Sequence, residues 1–298
     1  MGMDKIAVIG AGTMGNGIAH VFAQSGYPVT MIDISEEALN RGFSTITRNL
    51  DRMVAREKIT TGDRDATLAR IQTSTSIEAS VADADLVIEA ATEKVELKLR
   101  IFEGLSQWCK PEAIMATNTS SISITKIAAS TSRPEQVIGM HFMNPVPVMK
   151  LVEIIRGYST SNSVAEKITA LTKQLDKVPV MVNDYPGFVA NRILIPMINE
   201  AIISLWEGVA GVEEIDAVMR LGMAHPMGPL QLADFIGLDV VLAITRVLQE
   251  GFGEAKYAPC PLLVNMVQAG KLGAKSGEGF YLYTPGSKDL LVSPAFRK

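Results

Sequence analysis

The chain has 298 residues and a formal net charge of −4, and 47% of its residues are hydrophobic. This length allows one large domain or two of ordinary size. The slight negative charge gives no reason to expect nucleic acid as a partner. The sequence shows neither a secretory signal nor an apolar run near the ~20 residues of a membrane span. We therefore expect no membrane partner. Because only Cys109 and Cys260 occur, we expect reduced thiols and a cytoplasmic protein.

The first feature with a chemical meaning is a glycine-rich loop between a strand and a helix. Residues 5–9 form an apolar, β-rich run, residues 10–15 follow the pattern G-x-G-x-x-G, and residues 16–24 have a helical pattern. This context predicts a dinucleotide site, in which the glycines allow a tight turn, close approach to a pyrophosphate and close helix packing. The N–H groups at the start of the helix favour phosphates. The predicted cofactor contacts in this loop are Gly10, Gly12, Thr13, Met14 and Gly15.

A second strand pattern, residues 28–32, ends at Asp33, where dinucleotide-binding folds carry an acid. A carboxylate there can accept hydrogen bonds from ribose hydroxyls and would repel a 2′-phosphate. The sequence therefore predicts NAD rather than NADP as the cofactor. The alternative is a glycine-rich turn that only joins a strand to a helix.

Strand and helix patterns alternate through residues 1–185, which predicts an α/β Rossmann-like NAD-binding domain with a mostly parallel sheet. The expected helices include one from Glu36 to about Lys58 and one from Glu93 to Trp108. From Pro186 onward the pattern is helical and very apolar. We therefore predict a smaller all-α domain at residues 186–298, for substrate binding and dimerisation.

Hydride transfer requires a proton acceptor, and the chain has three histidines, His20, His141 and His225. His141 lies near the end of the predicted strand 137–142, and ligands bind beyond the carboxyl ends of strands in open α/β sheets. Histidine exchanges its proton near neutral pH, so this position favours a general base. A buried structural histidine is the alternative. We expect His20 to be a packing or surface residue, and His225 to make a structural hydrogen bond in a turn.

Glu153 interrupts the otherwise apolar strand pattern of residues 151–155. A carboxylate inside such a strand is costly unless it is paired. A histidine is a suitable partner, because the carboxylate fixes the tautomer and stabilises the imidazolium. The alternative is a side chain that points to solvent from an edge strand.

Residues 117–121 follow another predicted strand and read Thr-Asn-Thr-Ser-Ser. Their hydroxyls and the amide of Asn118 can bind a nicotinamide carboxamide or a substrate oxygen. The other interpretation is an N-cap cluster for a helix near residues 124–129. The pattern alone does not choose between them.

Longer motifs resemble the short-chain L-3-hydroxyacyl-CoA dehydrogenase family, and in particular its bacterial 3-hydroxybutyryl-CoA dehydrogenases. These motifs are residues 118–121, 141–153 and 186–192, and the similarity extends from the glycine loop to residues 277–281. The resemblance implies a Rossmann-like domain followed by a helical domain that forms a homodimer.

The resemblance also implies roles for individual residues. His141 matches the catalytic base, Glu153 the acid that orients it, and Ser120 and Asn191 the residues that hold the 3-oxygen and thioester region. Further cofactor contacts are implied for Glu93, Lys98, Ser120, Asn144 and Lys275. No metal is expected.

For coenzyme A, family members often carry a serine and a lysine on the helix after the second strand. This chain departs from that pattern and has Asn49, Arg52, Arg56 and Lys58 in the corresponding region. These four are the candidate substrate-binding residues. A solvated basic helix end is the alternative.

These observations predict an NAD-dependent enzyme that reversibly oxidises a short-chain L-3-hydroxyacyl-CoA, such as 3-hydroxybutyryl-CoA, to the 3-ketoacyl-CoA. One alternative is a dehydrogenase of a hydroxy or sugar acid on the same scaffold, which would not need the basic helix. The other is a non-catalytic NAD-binding structural protein, against which the joint presence of His141, Glu153, Ser120 and Asn191 argues.

Overall fold

The computed structural model describes residues 3–287 and 289–297. The chain divides into two compact units, Met1–Tyr185 and Pro186–Lys298. The first unit contains an eight-stranded sheet. Its strands are β1 (Ile6–Ile9), β2 (Val29–Ile32), β3 (Ile71–Ser74), β4 (Leu86–Glu89), β5 (Ile114–Thr117), β6 (Val137–Phe142), β7 (Leu151–Arg156) and β8 (Val178–Asn183).

The sheet has the strand order β3-β2-β1-β4-β5-β6-β7-β8. Neighbours from β3 to β6 pair in parallel, β7 runs antiparallel to β6, and β8 is parallel to β7. The order reverses between β1 and β4, and in such sheets dinucleotides bind beyond the strand ends at that point. The predicted Rossmann-like, mostly parallel sheet is confirmed.

The sheet forms because its central strands are short apolar runs that can be buried completely, as parallel strands require. Helices α1, α2 and α7 contribute apolar side chains to the core around these strands. The α-helices of the first unit are α1 (Thr13–Gln24), α2 (Glu36–Ala55), α3 (Thr61–Ala69), α4 (Ile77–Val81), α5 (Val95–Trp108), α6 (Ile124–Ala128) and α7 (Asn162–Gln174).

Helix α2 ends at Ala55, three residues earlier than the pattern predicted. Arg56 is its C-cap, and the next residue, Glu57, has a φ of 56°. The chain therefore leaves the helix before Lys58, because a left-handed residue cannot continue an α-helix.

The starts of α5 and α3 are both fixed locally, and the start of α5 differs from the prediction. Helix α5 begins at Val95, so Glu93 lies in the loop after β4 rather than on the helix. Helix α3 begins at Thr61, where the hydroxyl of Thr60 and the carboxylate of Asp63 form a reciprocal capping box.

The second unit is helical, as predicted, and also contains a small antiparallel sheet that the sequence did not predict. Strands of two residues carry no alternation that a sequence pattern could reveal. The elements are α8 (Ala190–Trp206), α9 (Val212–Ala217), α10 (Pro229–Ile236), α11 (Leu238–Phe252), α12 (Pro261–Gln268), β9 (Tyr281–Leu282) and β10 (Leu291–Val292).

Helix α8 starts at Ala190, although the helical pattern begins at Pro186. The cause is local, because Gly187 and Phe188 have φ angles of 73° and 51°. Neither residue can be part of a right-handed helix in that conformation. In the described ranges, no helix is both long and apolar enough to cross a membrane.

Candidate active site

The glycine loop joins the end of β1 to the start of α1. Gly10 has a φ of 100°, and a Cβ there would lie 2.6 Å from the carbonyl oxygen of Ala90. A Cβ on Gly15 would overlap the carbonyl of Gly10, whereas one on Gly12 would meet no atom within 4 Å. Gly10 and Gly15 are therefore required by the fold, and Gly12 faces open space.

The N-terminus of α1 lies beside that open space. Its N-cap is Gly12, which offers no side chain, and no acidic residue occupies the first turn. The first backbone N–H groups of α1 thus have no capping side chain and can donate to an anion. This arrangement fits the pyrophosphate of a dinucleotide.

Asp33 lies directly after β2 and is half-buried. Its Oδ2 accepts a hydrogen bond from the N–H of Ala11 at 2.9 Å, and its Oδ1 accepts one from Ser35 at 3.1 Å. Asp33 therefore links β2 to the glycine loop. Each carboxylate oxygen can accept a second hydrogen bond, so ribose hydroxyls can still bind.

We expect Asp33→Ala to lower kcat/KM for NADH by roughly 10- to 100-fold, because hydrogen bonds to a charged group are lost. The kcat/KM for NADPH should fall less, since the repulsion of its 2′-phosphate is removed as well. Asp33→Asn is the matched control, because it keeps the size and an acceptor while removing the charge. An unchanged NADH-to-NADPH ratio in Asp33→Ala would exclude Asp33 from ribose recognition.

A buried ion cluster lies at the carboxyl end of β4. Lys98 is 1% exposed, and its Nζ lies 2.6 Å from Oε1 of Glu89 and 3.1 Å from Oε2 of Glu93. The other oxygen of Glu89 accepts a hydrogen bond from the hydroxyl of Thr117 at 2.7 Å. The cluster therefore connects the ends of β4 and β5 through the start of α5.

Glu93 also organises the polar segment after β5. Its Oε1 accepts hydrogen bonds from the N–H of Ser120 at 3.0 Å, the hydroxyl of Ser121 at 3.3 Å and the hydroxyl of Thr119. The N-cap of α6 is instead Ser123. The segment thus holds Glu93 at the strand ends, and the capping interpretation is wrong for residues 117–121.

Sequence reasoning missed Glu89, which is fully buried. The signal was available, since an acid at the end of an apolar strand needs a partner in the same way as Glu153 does.

We expect Glu89→Gln to lower the free energy of unfolding by about 3 kcal/mol, because it leaves the Lys98 charge poorly compensated. Urea unfolding measures this. The control is Glu93→Gln, whose side chain is 41% exposed. This variant should lose less free energy of unfolding than Glu89→Gln, and its main effect should be on the KM for NADH. An equal loss of stability in both variants would contradict this division of roles.

His141 and Glu153 are directly opposite each other in the antiparallel register of β6 and β7. The Nδ1 atom of His141 lies 2.8 Å from Oε2 of Glu153, and the two residues are 6% and 2% exposed. The structure thus pairs the two residues that the sequence analysis paired. A carboxylate at Nδ1 holds the ring proton there, which makes Nε2 the proton-accepting atom of the neutral ring.

Hydrogen bonds from Lys177 hold the loop that follows β6 in place. Lys177 is buried, and its Nζ donates hydrogen bonds to the carbonyls of Val146 at 2.5 Å and Met149 at 2.6 Å. Burial lowers the pKa of Lys177.

Asn144, a predicted cofactor contact, is exposed on this loop. Asn118 has a structural contact, because its Oδ1 accepts a hydrogen bond from the N–H of Phe142 at 2.9 Å.

A cavity of about 470 Å³, which we call the basic pocket, lies between α2 and this loop. Its lining residues are His20, Asn49, Arg52, Met53, Arg56, Lys58, Pro145, Pro147 and Val148. The structure therefore brings the four candidate coenzyme A residues together around one cavity. They face the loop that follows β6, which begins two residues after His141.

The three cations of the basic pocket, Arg52, Arg56 and Lys58, are exposed. Within the described part of the chain, their side chains make no hydrogen bond or ion pair. The neighbouring Asp51 pairs with Arg64 instead, at 3.0 Å. Three uncompensated positive charges around a cavity favour an anionic ligand.

Two predicted site residues belong to the second unit. Asn191 lies in the first turn of α8. Lys275 forms an ion pair with Asp239, the second residue of α11. Their assigned roles stay predictions.

The chain is similar to known dehydrogenases over nearly its whole length. Residues 5–185 match the model of the 3-hydroxyacyl-CoA dehydrogenase NAD binding domain, and residues 187–283 match that of the 3-hydroxyacyl-CoA dehydrogenase C-terminal domain. The 3-hydroxybutyryl-CoA dehydrogenase of Bradyrhizobium diazoefficiens is 53% identical over 281 residues, which cover 94% of this chain and 96% of that protein. A probable 3-hydroxybutyryl-CoA dehydrogenase of Bacillus subtilis is 52% identical over 283 residues, covering 95% and 98%. The crystal structure of (S)-3-hydroxybutyryl-CoA dehydrogenase PaaH1 from Ralstonia eutropha matches with a TM-score of 0.91 and 52% identity, covering 95% of this chain and 99% of that one.

Proposed function

This chain belongs to the 3-hydroxyacyl-CoA dehydrogenase family, and from this premise we propose that it oxidises L-3-hydroxybutyryl-CoA reversibly to acetoacetyl-CoA with NAD. The observation that carries the proposal is the buried His141–Glu153 pair, with 2.8 Å between Nδ1 and Oε2. It lies in the sheet whose strand β1 leads into the dinucleotide loop. A general base is thereby combined with a cofactor site in one fold.

The cofactor site is formed by the glycine loop, the N-terminus of α1 and Asp33, with Glu93 and Lys98 at the next strand end. When bound, NAD supplies the hydride acceptor for C3 of the substrate. The protein contributes geometry and electrostatics through side chains and backbone groups at the ends of the strands.

His141 accepts and returns the proton that the reaction transfers. Its Nε2 accepts the proton of the 3-hydroxyl, and the resulting imidazolium is stabilised by Glu153 at Nδ1. In the reverse direction the imidazolium returns this proton to the 3-oxygen. Ser120, whose N–H is held by Glu93, is the candidate hydroxyl donor to the 3-oxygen. The resemblance gives Asn191 a related role.

The test is the oxidation of NADH measured with acetoacetyl-CoA, a series of longer 3-ketoacyl-CoA substrates and free keto acids. We expect turnover with the CoA thioesters, and the length series will define the acyl specificity. Turnover only with free acids would favour the related hydroxy- or sugar-acid dehydrogenase. NAD binding without turnover of any thioester would favour a structural protein.

A homodimer is part of this proposal, and its basis is the apolar surface of the second unit. Ile193, Val209 and Leu221 are 67%, 73% and 78% exposed, and a second copy of the chain would remove such apolar side chains from water. Light scattering should therefore give a particle of twice the 32.1 kDa chain mass. A particle of single-chain mass at working concentration would contradict the dimer.

We place this activity in the cytoplasm. Cys109 and Cys260 are both buried free thiols. Burial raises the pKa of Cys109 to about 11, so this thiol stays protonated and unreactive, as suits a reducing compartment.

A further inference from the structure

Lys177 lies between α7 and β8, and its positive charge is buried. The residue is 7% exposed, and the neighbouring carboxylate of Asp176 pairs with Lys150 instead. Among the described residues, no carboxylate forms an ion pair with Lys177. A buried charge costs free energy unless it is paired or hydrogen-bonded. The ammonium group of Lys177 donates to the backbone carbonyls of Val146 and Met149, which connects its function to the segment that carries them.

That segment, residues 145–149, forms a single helical turn. The N–H groups of Val148 and Met149 both donate to the carbonyl of Pro145, at 2.9 and 3.0 Å. The later carbonyls of such a turn have no helical N–H to accept from. Lys177 supplies the donor for two of them, and a cation at this end of the turn also interacts favourably with the peptide dipoles.

The turn contacts α1 on another side and borders the basic pocket on a third. A Cβ on Gly17 of α1 would lie 2.9 Å from Cβ of Val146, so helix and turn are in close contact. Pro145, Pro147 and Val148 line the basic pocket. A shift of the turn would therefore change the width of the cavity between the turn and α2.

Loss of the Lys177 ammonium group would cause such a shift. Val146 is 2% exposed, so its carbonyl would be left buried without this donor. A buried carbonyl without a donor costs free energy, and the turn could reduce this cost only by moving toward water. The apolar side chains of the turn would move with it, whereas the cations of α2 would keep their places across the cavity.

Resting on the proposed function, we infer that Lys177 is a positioning residue for the substrate, which holds the turn 145–149 as the apolar wall of the basic pocket. The cations of α2 bind the phosphates of coenzyme A, and the wall contacts the uncharged pantetheine arm. Lys177 is not one of the residues that line the pocket. It acts through the two carbonyls that it holds and not through an attraction between its charge and the phosphates.

The experiment measures Lys177→Met with acetoacetyl-CoA and with acetoacetyl-pantetheine, which lacks the nucleotide. Met has a similar length but no N–H donor, so the KM for both thioesters should rise roughly tenfold. The KM for NADH should not change, because the glycine loop and Asp33 lie at other strand ends. The kcat should fall by a smaller factor than the KM rises, since His141 keeps its contact with Glu153.

The matched control is Lys150→Met. Lys150 directly precedes β7 and also contacts the segment between α7 and β8, but its side chain is 62% exposed and pairs with Asp176. Exposed ion pairs contribute little free energy, so the KM for either thioester should change little. A rise in KM equal to that of Lys177→Met would show that any weakening between the two segments has this effect, and it would overturn the specific role of Lys177.

Two results with Lys177→Met would also overturn the inference. A penalty that disappears with acetoacetyl-pantetheine would mean that the buried charge attracts the phosphates and does not position the turn. A lower Tm and kcat at an unchanged KM for acetoacetyl-CoA would mean a structural role only, because a loss of folded enzyme lowers kcat and leaves the KM unchanged. Failure of the wild-type chain on acetoacetyl-CoA would refute the proposed function itself, before any variant is measured.

A measurement on the unmodified chain covers the case in which Lys177→Met does not fold. Hydrogen exchange of the Val148 and Met149 amides reports opening of the turn, since both amides donate to Pro145. Coenzyme A, at a concentration that calorimetry shows to be saturating, should slow this exchange, because the pantetheine arm then lies against the turn. Exchange at the same rate with and without bound coenzyme A would overturn the inference.

Discussion

His141→Gln should lower kcat by ~10²–10⁴, which is the usual cost of losing a general base. Gln has nearly the same reach as His but cannot take up a proton, so the charge of Glu153 no longer has an imidazolium to stabilise. The binding of NADH should remain nearly unchanged, because the glycine loop and Asp33 lie on other strand ends. Steady-state turnover of acetoacetyl-CoA and the fluorescence of bound NADH measure the two quantities.

Two variants sharpen this experiment. His225→Gln makes the same chemical change in a half-buried histidine of the second unit, and it should keep wild-type turnover. Glu153→Gln keeps His141 but removes the charge that stabilises its imidazolium, so kcat should fall with little change in NADH binding. If His141→Gln retains wild-type turnover, His141 is not the base and the proposed mechanism is wrong.

The parts of the site that could be predicted from sequence depend on local spacing or on general rules of sheets. The glycine loop is recognisable because its glycines occupy fixed places between a strand and a helix. The pairing of His141 with Glu153 was predicted because a buried carboxylate requires a partner. The structure adds the reason for their contact, which is the antiparallel register of β6 and β7.

The basic pocket shows what could not be predicted. His20, Arg52 and Pro145 come from three distant parts of the chain, and they share a cavity only because α1, α2 and the loop after β6 pack together. Helical periodicity alone does not distinguish His20 from the other residues of an apolar helix. The complete burial of its ring arises only in the folded chain, so no pattern could reveal it.

The ends of helices are a second feature that the sequence pattern did not predict, and here the cause is local backbone conformation. The end of α2 is set by Glu57 at positive φ, and the start of α8 by Gly187 and Phe188. A glycine signals such a turn, but Glu and Phe at positive φ do not, because they rarely adopt it. The position of Lys58 beyond the helix therefore had to come from the structure.

The second large effect concerns the cations of the basic pocket. Arg52→Ala combined with Arg56→Ala should raise the KM for acetoacetyl-CoA by roughly 100-fold, since two charge-assisted contacts to phosphate are lost. The chain as a whole is acidic, with a net charge of −4, so a local positive cluster is needed to attract this anion. Both side chains are exposed, so the penalty should shrink at high salt as the charges are screened.

The matched control is Arg41→Ala combined with Arg48→Ala. It removes the same charge from the same helix, at exposed positions outside the pocket lining, and the KM should change little. A thioester without the nucleotide separates phosphate binding from support of the fold. Cations near the C-terminus of α2 also interact favourably with the helix dipole, and that effect does not depend on the substrate. An equal rise in KM with the truncated thioester would therefore show that Arg52 and Arg56 stabilise the end of α2 and do not bind coenzyme A.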